Sequence, residues 1–294
     1  MLIQVFGAGA LGSLVGYMIQ KAGYDVVFIA RGKQLDALSK KLVVKGLIND
    51  EIAVDVRSKP VDADITFLTV KAYDTEAAAK SLAKVNCGVV CSLQNGVGNE
   101  EILLKYVRDV VGGVTTYGAN LIDYGVVEFA GIGKTFVGDF GKKSNAKKVA
   151  KVLNDSGMET EIVEDISRRI WVKAVINAAI NPITAICSVR NGKVVEIAEL
   201  WKLASALAKE GEEVMKGLGF DVKENELVNA VKDVALKTKN NKSSMLQDLE
   251  KRKKTEIEYI NGAIVKAGKK LGIDVVANET ILNLIRGIEI ARSF

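Results

Sequence analysis

The strongest limit on the fold comes from the start of the chain, where an apolar run leads directly into a glycine-rich turn. Residues Met1–Phe6 have the sequence MLIQVF, which suits a strand buried on both faces, and GAGALG follows at Gly7–Gly12. A helix-like segment to Gly23 and a second apolar run at 25–30 come next. This order makes a βαβ unit of about 30 residues and predicts a parallel sheet covered by helices.

Along the rest of the chain the hydrophobic pattern changes once, near residue 165. Before that point apolar runs alternate with helical stretches, and the strands after Gly112 are expected to be short and antiparallel. Further strands are predicted at 63–70, 88–93, 107–114 and 159–163, with a helix near 145–153. After that point helical periodicity dominates, at 167–180, 194–218, 224–236, 257–271 and 278–290. The predicted fold class is α/β: an N-terminal doubly wound Rossmann-type domain, residues 1–164, followed by an all-α domain, residues 165–294.

The chain contains no histidine, and this absence excludes several classes of active site. Ser–His–Asp and Cys–His nucleophile systems, histidine-rich metal sites and dehydrogenases with an imidazole proton donor all need that side chain. We therefore predict no metal site, and a general acid must be Lys, Asp, Glu, Tyr or Cys.

Cysteine content predicts a cytoplasmic protein, and the charge pattern bears on its partners. The net charge is +5, and the densest basic run, Lys251–Lys254, is flanked by glutamates and has no interleaved aromatics, so no nucleic-acid partner is expected. The three cysteines lack framework spacing, which is typical of a reducing compartment. Residues 1–20 carry no side-chain charge, but glycines interrupt them and no basic region precedes them. Neither a signal peptide nor a membrane anchor is therefore predicted.

The turn after the first strand matches the dinucleotide-binding pattern G-x-G-x-x-G. It consists of Gly7, Ala8, Gly9, Ala10, Leu11 and Gly12. Such a turn lets the backbone approach a pyrophosphate at the N-terminus of the following helix. At the end of the second strand, where an acidic residue would favour NAD, the chain has Arg31. A guanidinium suits a 2′-phosphate, so NADP is the expected cofactor and NADH is left open; the alternative is an Arg31 that points to solvent.

A polar stripe runs along the first helical segment of the second domain. Lys173, Asn177 and Asn181 recur at i, i+4 and i+8 on a helix that is otherwise apolar. Burying such a stripe without partners is costly, so we expect it to line a wet cleft. The alternative is a strip that faces solvent.

Motifs along the whole chain resemble those of the ketopantoate reductase family. They are GAGALG at Gly7, Arg31, TVKA at Thr69, LQNG at Leu93, WVK at Trp171 with Asn177 and Asn181–Pro182, Asn191–Gly192, SSMLQD at Ser243, TEI at Thr255 and Asn261–Gly262. The first motif is common to dinucleotide-binding folds, whereas the last three, in this order and spacing, are highly specific. The resemblance implies NADPH-dependent reduction of 2-dehydropantoate to pantoate, in pantothenate and coenzyme A biosynthesis, in a cleft between the two domains.

The resemblance also implies roles for individual residues. Lys173 would donate a proton to the 2-keto oxygen, and Glu256 would contact both the cofactor and Lys173. Besides the turn and Glu256, the implied cofactor contacts are Arg31, Lys71, Asn95 and the Ala119 backbone. The implied substrate contacts are Asn95, Lys173, Asn177, Asn181, Asn191, Ser243 and Ser244. Two alternatives stay open: Lys71 could be a solvated loop residue, and Ser244 could be a helix N-cap with Gln247 as its capping-box partner.

Other functions and partners follow less directly. A paralogue that reduces another branched 2-keto acid, or a non-catalytic NADP-sensing protein, could carry many of the same residues, and a homodimer is left open. Cys87 and Cys91 share one face of a strand that ends at the predicted cofactor loop. If Cys87 is exposed at the strand's entry, coenzyme A could inhibit as feedback and be trapped there as a mixed disulfide. The alternative is two small buried hydrophobes.

Overall fold

The chain forms two compact units in a computed structural model that describes residues 1–141 and 145–292. The first unit contains residues 1–94 and 99–169, and the second contains residues 95–98 and the chain from Ile170 onward. The predicted boundary at 164–165 therefore differs from the observed one by about one helical turn. The reason is the close approach of residue Ile166 to a strand of the first unit, where a Cβ on Gly138 would lie 2.7 Å from the Cβ of Ile166.

Strands occupy much of the first unit. In its described part they are β1 (Leu2–Phe6), β2 (Asp25–Ile29), β3 (Leu42–Gly46), β4 (Asp50–Ile52), β5 (Asp55–Arg57), β6 (Ile65–Leu68), β7 (Val89–Ser92), β8 (Val110–Thr115), β9 (Gly118–Asp123), β10 (Val126–Gly131), β11 (Thr135–Phe140) and β12 (Thr160–Ile162). The larger sheet has the order β12-β11-β8-β7-β6-β1-β2-β5, and the smaller has the order β4-β3-β10-β9.

The centre of the larger sheet is parallel and doubly wound, as predicted. β1 pairs in parallel with β2 and β6, and the parallel pairing extends through β7 to β8. β6 and β7 are buried throughout, which explains why their sequences are apolar runs without alternation. β8 and β11 pair antiparallel, and so do β9 and β10, as expected for strands after Gly112, but β3 and β4 also pair antiparallel before it. The short strands β3, β4 and β5 were not predicted. β4 and β5 have three residues each, two of them charged, and β3 has only the apolar run Leu42–Val44 before Lys45 and Gly46.

Helices follow the strands and then form the second unit. They are α1 (Ala10–Lys21), α2 (Gly32–Leu38), α3 (Thr75–Leu82), α4 (Asn99–Leu103), α5 (Ala146–Asp155), α6 (Ile166–Cys187), α7 (Lys193–Glu196), α8 (Ala198–Gly217), α9 (Glu226–Lys237), α10 (Ser244–Glu250), α11 (Asn261–Leu271) and α12 (Val276–Ala291), with 3-10 helices at Ala72–Asp74 and Ile257–Tyr259. The described residues of the second unit form no strand, so its all-α class is confirmed for them.

Two predicted helices are each broken in the structure. The segment 194–218 divides into α7 and α8 at Ile197, whose backbone is extended, with φ −101° and ψ 117°. The segment 257–271 divides into a 3-10 helix and α11 at Ile260, with φ −107° and ψ −92°. Both breaks fall on apolar residues, so hydrophobic periodicity continues across them and gives no signal of the break.

α6 continues well past its predicted end at Ile180. Pro182 lies inside the helix and has no N–H for the carbonyl of Ala178, four residues earlier. The side-chain amide of Asn261, which is fully buried, donates to that carbonyl at 3.2 Å. By length and composition alone α6 could also span a bilayer, but most of its apolar window is buried within the protein, as in many core helices.

Two glutamates on α8 fix the starts of other helices of the second unit. Glu212 accepts hydrogen bonds from the backbone N–H groups of Asn225 and Leu227, at 3.0 and 3.1 Å. Glu210 accepts from the N–H groups of Ala277 and Asn278, at 2.7 and 2.8 Å. These carboxylates satisfy unpaired donors at the N-termini of α9 and α12 and interact favourably with the helix dipoles.

Candidate active site

The glycine-rich turn needs glycine at particular positions for two different physical reasons. Gly7 has φ +108°, a conformation that L side chains rarely adopt. A Cβ on Gly12 would lie 2.3 Å from the Gly7 carbonyl oxygen and 2.4 Å from the Thr69 hydroxyl oxygen. A Cβ on Gly9, in contrast, would meet no atom closer than 4.0 Å. The turn is therefore closely packed on one side and has open space at Gly9.

Side chains hold this turn through its carbonyl groups. Thr69 Oγ1 donates to the Gly7 carbonyl at 2.8 Å, and Gln34 Nε2 donates to the Ala8 carbonyl at 2.6 Å. Gln34 also accepts from the Gly125 N–H at 3.0 Å. Because the carbonyls are occupied, the backbone N–H groups at the start of α1 are the groups left for a ligand, and α1 has no acidic residue in its first turn. This donor set fits a pyrophosphate.

The other predicted cofactor residues of the first unit lie on segments that follow its strands. Arg31 is the N-cap residue of α2, and its side chain is 77% exposed. Its Nη2 lies 3.3 Å from Oδ2 of Asp74, the last residue of a 3-10 helix. Lys71 is the N-cap residue of that same helix and is half-buried. Ala119 lies on β9 in the smaller sheet, where it packs against the core of the first unit.

Asn95 belongs to the second unit, although the sequence places it in a loop after a strand of the first domain. It starts the short segment 95–98, in which Val97 N–H donates to the Tyr259 carbonyl at 2.8 Å. Gly96 has φ +89°, and a Cβ there would lie 2.6 Å from Cβ of Tyr259. The absence of a side chain at Gly96 lets this segment lie against the backbone near Glu256.

Lys173 and Glu256 interact electrostatically in the second unit. Glu256 is only 5% exposed, at the start of the 3-10 helix Ile257–Tyr259, and Lys173 is half-buried on α6. Desolvation lowers the pKa of Lys173 to about 8, and the negative charge of Glu256 raises it in partial opposition. A lysine with a pKa near neutrality can both carry charge and release a proton at physiological pH.

The polar stripe on α6 is not a solvent-facing strip. Asn181 is 7% exposed and Asn177, like Lys173, is half-buried. Asn191, on the segment after α6, is 8% exposed, and its Nδ2 donates to Thr238 Oγ1 at 2.9 Å. Its Oδ1 is buried and has no hydrogen-bond partner among the residues that the structure describes. Buried amides with an unused acceptor are suited to a polar ligand.

One of the two neighbouring serines caps a helix, but it is not the serine named in the helix-cap alternative. Ser243, not Ser244, is the N-cap of α10, and its hydroxyl accepts from Leu246 N–H at 3.1 Å. Thr184 Oγ1 also donates to Ser243 Oγ at 2.7 Å. Gln247 does not close a capping box and donates instead to the Lys242 carbonyl at 3.2 Å. Ser244 is the first residue of α10 and is exposed, so its hydroxyl is not the helix cap.

Two family models together match most of the chain. A family model described as ketopantoate reductase PanE/ApbA matches residues 3–142, and one described as ketopantoate reductase PanE/ApbA C terminal matches residues 165–289. The chain belongs to the ketopantoate reductase family.

Relatives of this ketopantoate reductase family member include proteins of two activities. A curated 2-dehydropantoate 2-reductase from Archaeoglobus fulgidus is 62% identical over 289 residues, which cover 98% of this chain and 97% of that protein. The crystal structure of a PanE/ApbA family ketopantoate reductase from Ralstonia eutropha is 27% identical, with full coverage of both chains and a TM-score of 0.92. A D-mandelate dehydrogenase bound to NADH and anilino(oxo)acetate is 25% identical, with full coverage of both chains and a TM-score of 0.95. Likeness of fold alone therefore does not separate the two activities.

Of the two interpretations of Cys87 and Cys91, the one with two small buried hydrophobes is confirmed. Cys87 is 7% exposed and Cys91 is fully buried, while Cys187 is the exposed cysteine. Burial raises the pKa of the Cys87 thiol and so reduces its reactive thiolate fraction. Strand β7 begins only at Val89, so Cys87 lies in the preceding connection, where it packs into a small apolar cluster. In this ketopantoate reductase family member Cys87 is therefore a packed hydrophobe.

Sequence reasoning missed two residues that contact the predicted cofactor-binding groups. Gln34 supports the glycine turn through Ala8, and Asp74 pairs with Arg31. Gln34 lies three residues after Arg31 on a short helix and has no motif of its own. Asp74 lies three residues after Lys71, in a segment whose proximity to Arg31 depends on the parallel order of β2, β1 and β6.

Proposed function

We propose that this protein is an NADPH-dependent reductase that converts 2-dehydropantoate to pantoate, as in pantothenate and coenzyme A biosynthesis. The observation that carries the proposal is Lys173, a lysine with its pKa lowered to about 8, placed beside buried Glu256 and on a stripe of half-buried and buried amides. Family membership and 62% identity to a 2-dehydropantoate 2-reductase support the substrate.

The first unit would hold the cofactor. The backbone N–H groups at the start of α1 fit the pyrophosphate, and Arg31 offers a cation for a 2′-phosphate. Lys71 and the Ala119 backbone are proposed as further contacts, and Asn95 and Glu256 as contacts from the second unit. When bound, the reduced nicotinamide supplies the hydride that adds to C2 of the substrate.

The second unit would handle the proton and the substrate. As negative charge develops on the 2-keto oxygen, the Lys173 ammonium stabilises it and donates a proton to it. Glu256 favours the charged form of Lys173 and so keeps its amine protonated at neutral pH. Asn177, Asn181 and Asn191 would supply neutral hydrogen-bonding groups for the carboxylate and hydroxyl of the substrate. Ser243 is used as a helix cap, so Ser244 is the better candidate of the two serines.

A reductase acting on another 2-keto acid is the second candidate function, because the fold is as close to that of a D-mandelate dehydrogenase as to that of a ketopantoate reductase. Oxidation of NADPH or NADH, followed at 340 nm, separates these possibilities when ketopantoate is compared with an aromatic 2-keto acid. We expect the highest kcat/KM for ketopantoate with NADPH. A preference for the aromatic acid would favour the second candidate, and binding of nucleotide without turnover of any 2-keto acid would indicate an NADP-sensing protein.

Three further expectations stay predictions. They are a cytoplasmic location, a homodimer and reversible competition by coenzyme A for the nucleotide site. The last of these rests on the adenosine phosphate group that coenzyme A shares with NADPH. It no longer includes an adduct on Cys87, because that thiol is buried.

Arg31→Ala should weaken NADP+ binding by about 10- to 100-fold, the range for loss of a hydrogen bond between charged groups. NAD+ binding should change little, because NAD+ has no 2′-phosphate. Titration calorimetry gives both dissociation constants, and Arg108→Ala removes an exposed guanidinium elsewhere in the same unit as a control. Equal losses for both nucleotides would contradict the role given to Arg31.

Ser244→Ala should raise KM for ketopantoate about tenfold, the equivalent of one hydrogen bond to a carboxylate, with little change in thermal stability. Ser243→Ala is the matched variant: it removes the cap of α10 and should cost about 1 kcal/mol of stability. If Ser244→Ala lowers the unfolding temperature and leaves KM unchanged, Ser244 is not a substrate contact.

A further inference from the structure

The Arg31–Asp74 ion pair joins the two chemical groups that this fold uses to distinguish NADP from NAD. Nη2 of Arg31 lies 3.3 Å from Oδ2 of Asp74, and the two side chains are 77% and 39% exposed. In dinucleotide-binding domains an acidic side chain hydrogen-bonds the 2′-hydroxyl of NAD, whereas an arginine accommodates the 2′-phosphate of NADP. Here both groups are present, and the acid comes from the segment after β6 and not from the end of β2.

Hydrogen bonds of its own N–H and of the next residue hold the backbone of Asp74, whereas its side chain does not cap a helix. The Asp74 N–H donates to the Lys71 carbonyl at 2.8 Å, and its side chain makes no cap bond to α3. The next residue, Thr75, is fully buried, donates to Asn99 Oδ1 at 2.8 Å and accepts from Gln94 Nε2 at 2.8 Å. The backbone at Asp74 is therefore anchored, while its carboxylate can change partner.

The Asp74 carboxylate has opposite effects on the binding of a 2′-phosphate and of a 2′-hydroxyl. A 2′-phosphate must share Arg31 with Asp74 and is repelled by it, because both are negative. A 2′-hydroxyl is a donor, and a carboxylate is its natural acceptor. The same side chain therefore disfavours one nucleotide and favours the other.

We propose that Asp74 sets the nucleotide preference of this protein by competing with a 2′-phosphate for Arg31 and by accepting a hydrogen bond from a 2′-hydroxyl. Asp74 reduces the difference in binding affinity between NADPH and NADH, so NADH can also bind at the same site. This inference rests on the proposed function only in that it requires a nicotinamide dinucleotide to bind at the glycine turn.

Binding at equilibrium tests the inference without turnover. We expect Asp74→Ala, measured by titration calorimetry on the full chain, to bind NADP+ about fivefold more tightly and NAD+ about fivefold more weakly than the unaltered protein. Asp36→Asn, which removes the same charge from an exposed position on α2, should change both dissociation constants by less than about twofold and in the same direction. The gain for NADP+ should shrink at high salt, because the pair is exposed to solvent.

A double variant separates competition for Arg31 from a general charge effect. In the Arg31→Ala background, Asp74→Ala should tighten NADP+ binding clearly less than it does when Arg31 is present, because only the direct charge repulsion is then removed, while the loss of NAD+ binding should persist. Weaker NADP+ binding in Asp74→Ala would show that Asp74 orients Arg31 for the phosphate and would overturn the proposal, as would unchanged constants for both nucleotides. If the unaltered protein binds neither nucleotide, the proposed reductase function fails together with this inference.

Discussion

Lys173→Ala is expected to lower kcat for ketopantoate reduction by about 10²–10⁴, which corresponds to roughly 3–5 kcal/mol of activation free energy. The alanine removes both the charge that stabilises the developing alkoxide and the proton that neutralises it. The chain has no histidine, so no imidazole can take over either task. Single-turnover and steady-state assays with NADPH measure the loss.

The control for Lys173→Ala is Lys202→Ala, an exposed lysine on α8 in the same unit. That change should leave kcat within about twofold of the unaltered value. NADP+ affinity and the circular dichroism spectrum of Lys173→Ala should stay close to those of the unaltered protein. A Lys173→Ala enzyme that keeps more than half of its kcat would remove Lys173 from the role of proton donor.

The lowered pKa of Lys173 also gives the sign of the pH dependence. The ordinary value of 10.5 falls to about 8, so the ammonium form, which is the acid, is present below about pH 8 and is lost above it. We expect kcat for reduction to fall about tenfold for each pH unit above that value. A kcat that stays flat to pH 10 would show that Lys173 is not the acid or that binding restores its ordinary pKa.

Gly12→Ala should have the largest effect in the first unit. Its Cβ would lie 2.3 Å from the Gly7 carbonyl oxygen, which is backbone and cannot swing away. The start of α1 must then move from the turn, at a cost of about 2–3 kcal/mol of stability, and the pyrophosphate-binding N–H groups move with it. Thermal unfolding and NADP+ titration should both show losses.

Gly9→Ala tests nucleotide binding without disturbing the fold. Gly9 has φ −78°, and its added Cβ would meet no atom closer than 4.0 Å, so the unfolding temperature should hardly change. NADP+ affinity should nevertheless fall at least tenfold, because the methyl group would occupy the space through which the backbone approaches the pyrophosphate. Unchanged affinity in Gly9→Ala would place the nucleotide elsewhere.

Local sequence patterns predicted most of the scaffold. Buried parallel strands require continuous apolar runs, so β1, β2, β6 and β7 are visible in the sequence, and the G-x-G-x-x-G turn joins the first of them to α1. The helices of the second unit show the period of 3.6. What failed locally was the continuity of helices at Ile197 and Ile260, because an apolar residue in a non-helical conformation keeps the same hydrophobic pattern.

The site was less predictable because its contacts are between distant segments. Asp74 is close to Arg31 because β2, β1 and β6 are neighbours in the sheet, and segment 95–98 groups with the second unit, where Val97 N–H donates to the distant Tyr259 carbonyl. The alternation of side chains along a strand also does not show how deeply the residues before the strand are buried, so the sequence left both an exposed and a buried Cys87 open. The polar stripe at Lys173 was accessible to sequence reasoning because all of its members lie on one helix.

The proline in the middle of α6 has a consequence for how this protein can change over evolutionary time. The Ala178 carbonyl depends on a donor, Asn261, that lies 83 positions later in the chain. An apolar side chain at 261 would leave that carbonyl orphaned while Pro182 is present, whereas an alanine at 182 would give the carbonyl a donor within the helix. An apolar residue at 261 is therefore acceptable only after Pro182 has been replaced, whereas Pro182 can be replaced first. In a chimera of two relatives that differ at these positions, the crossover should not fall between them.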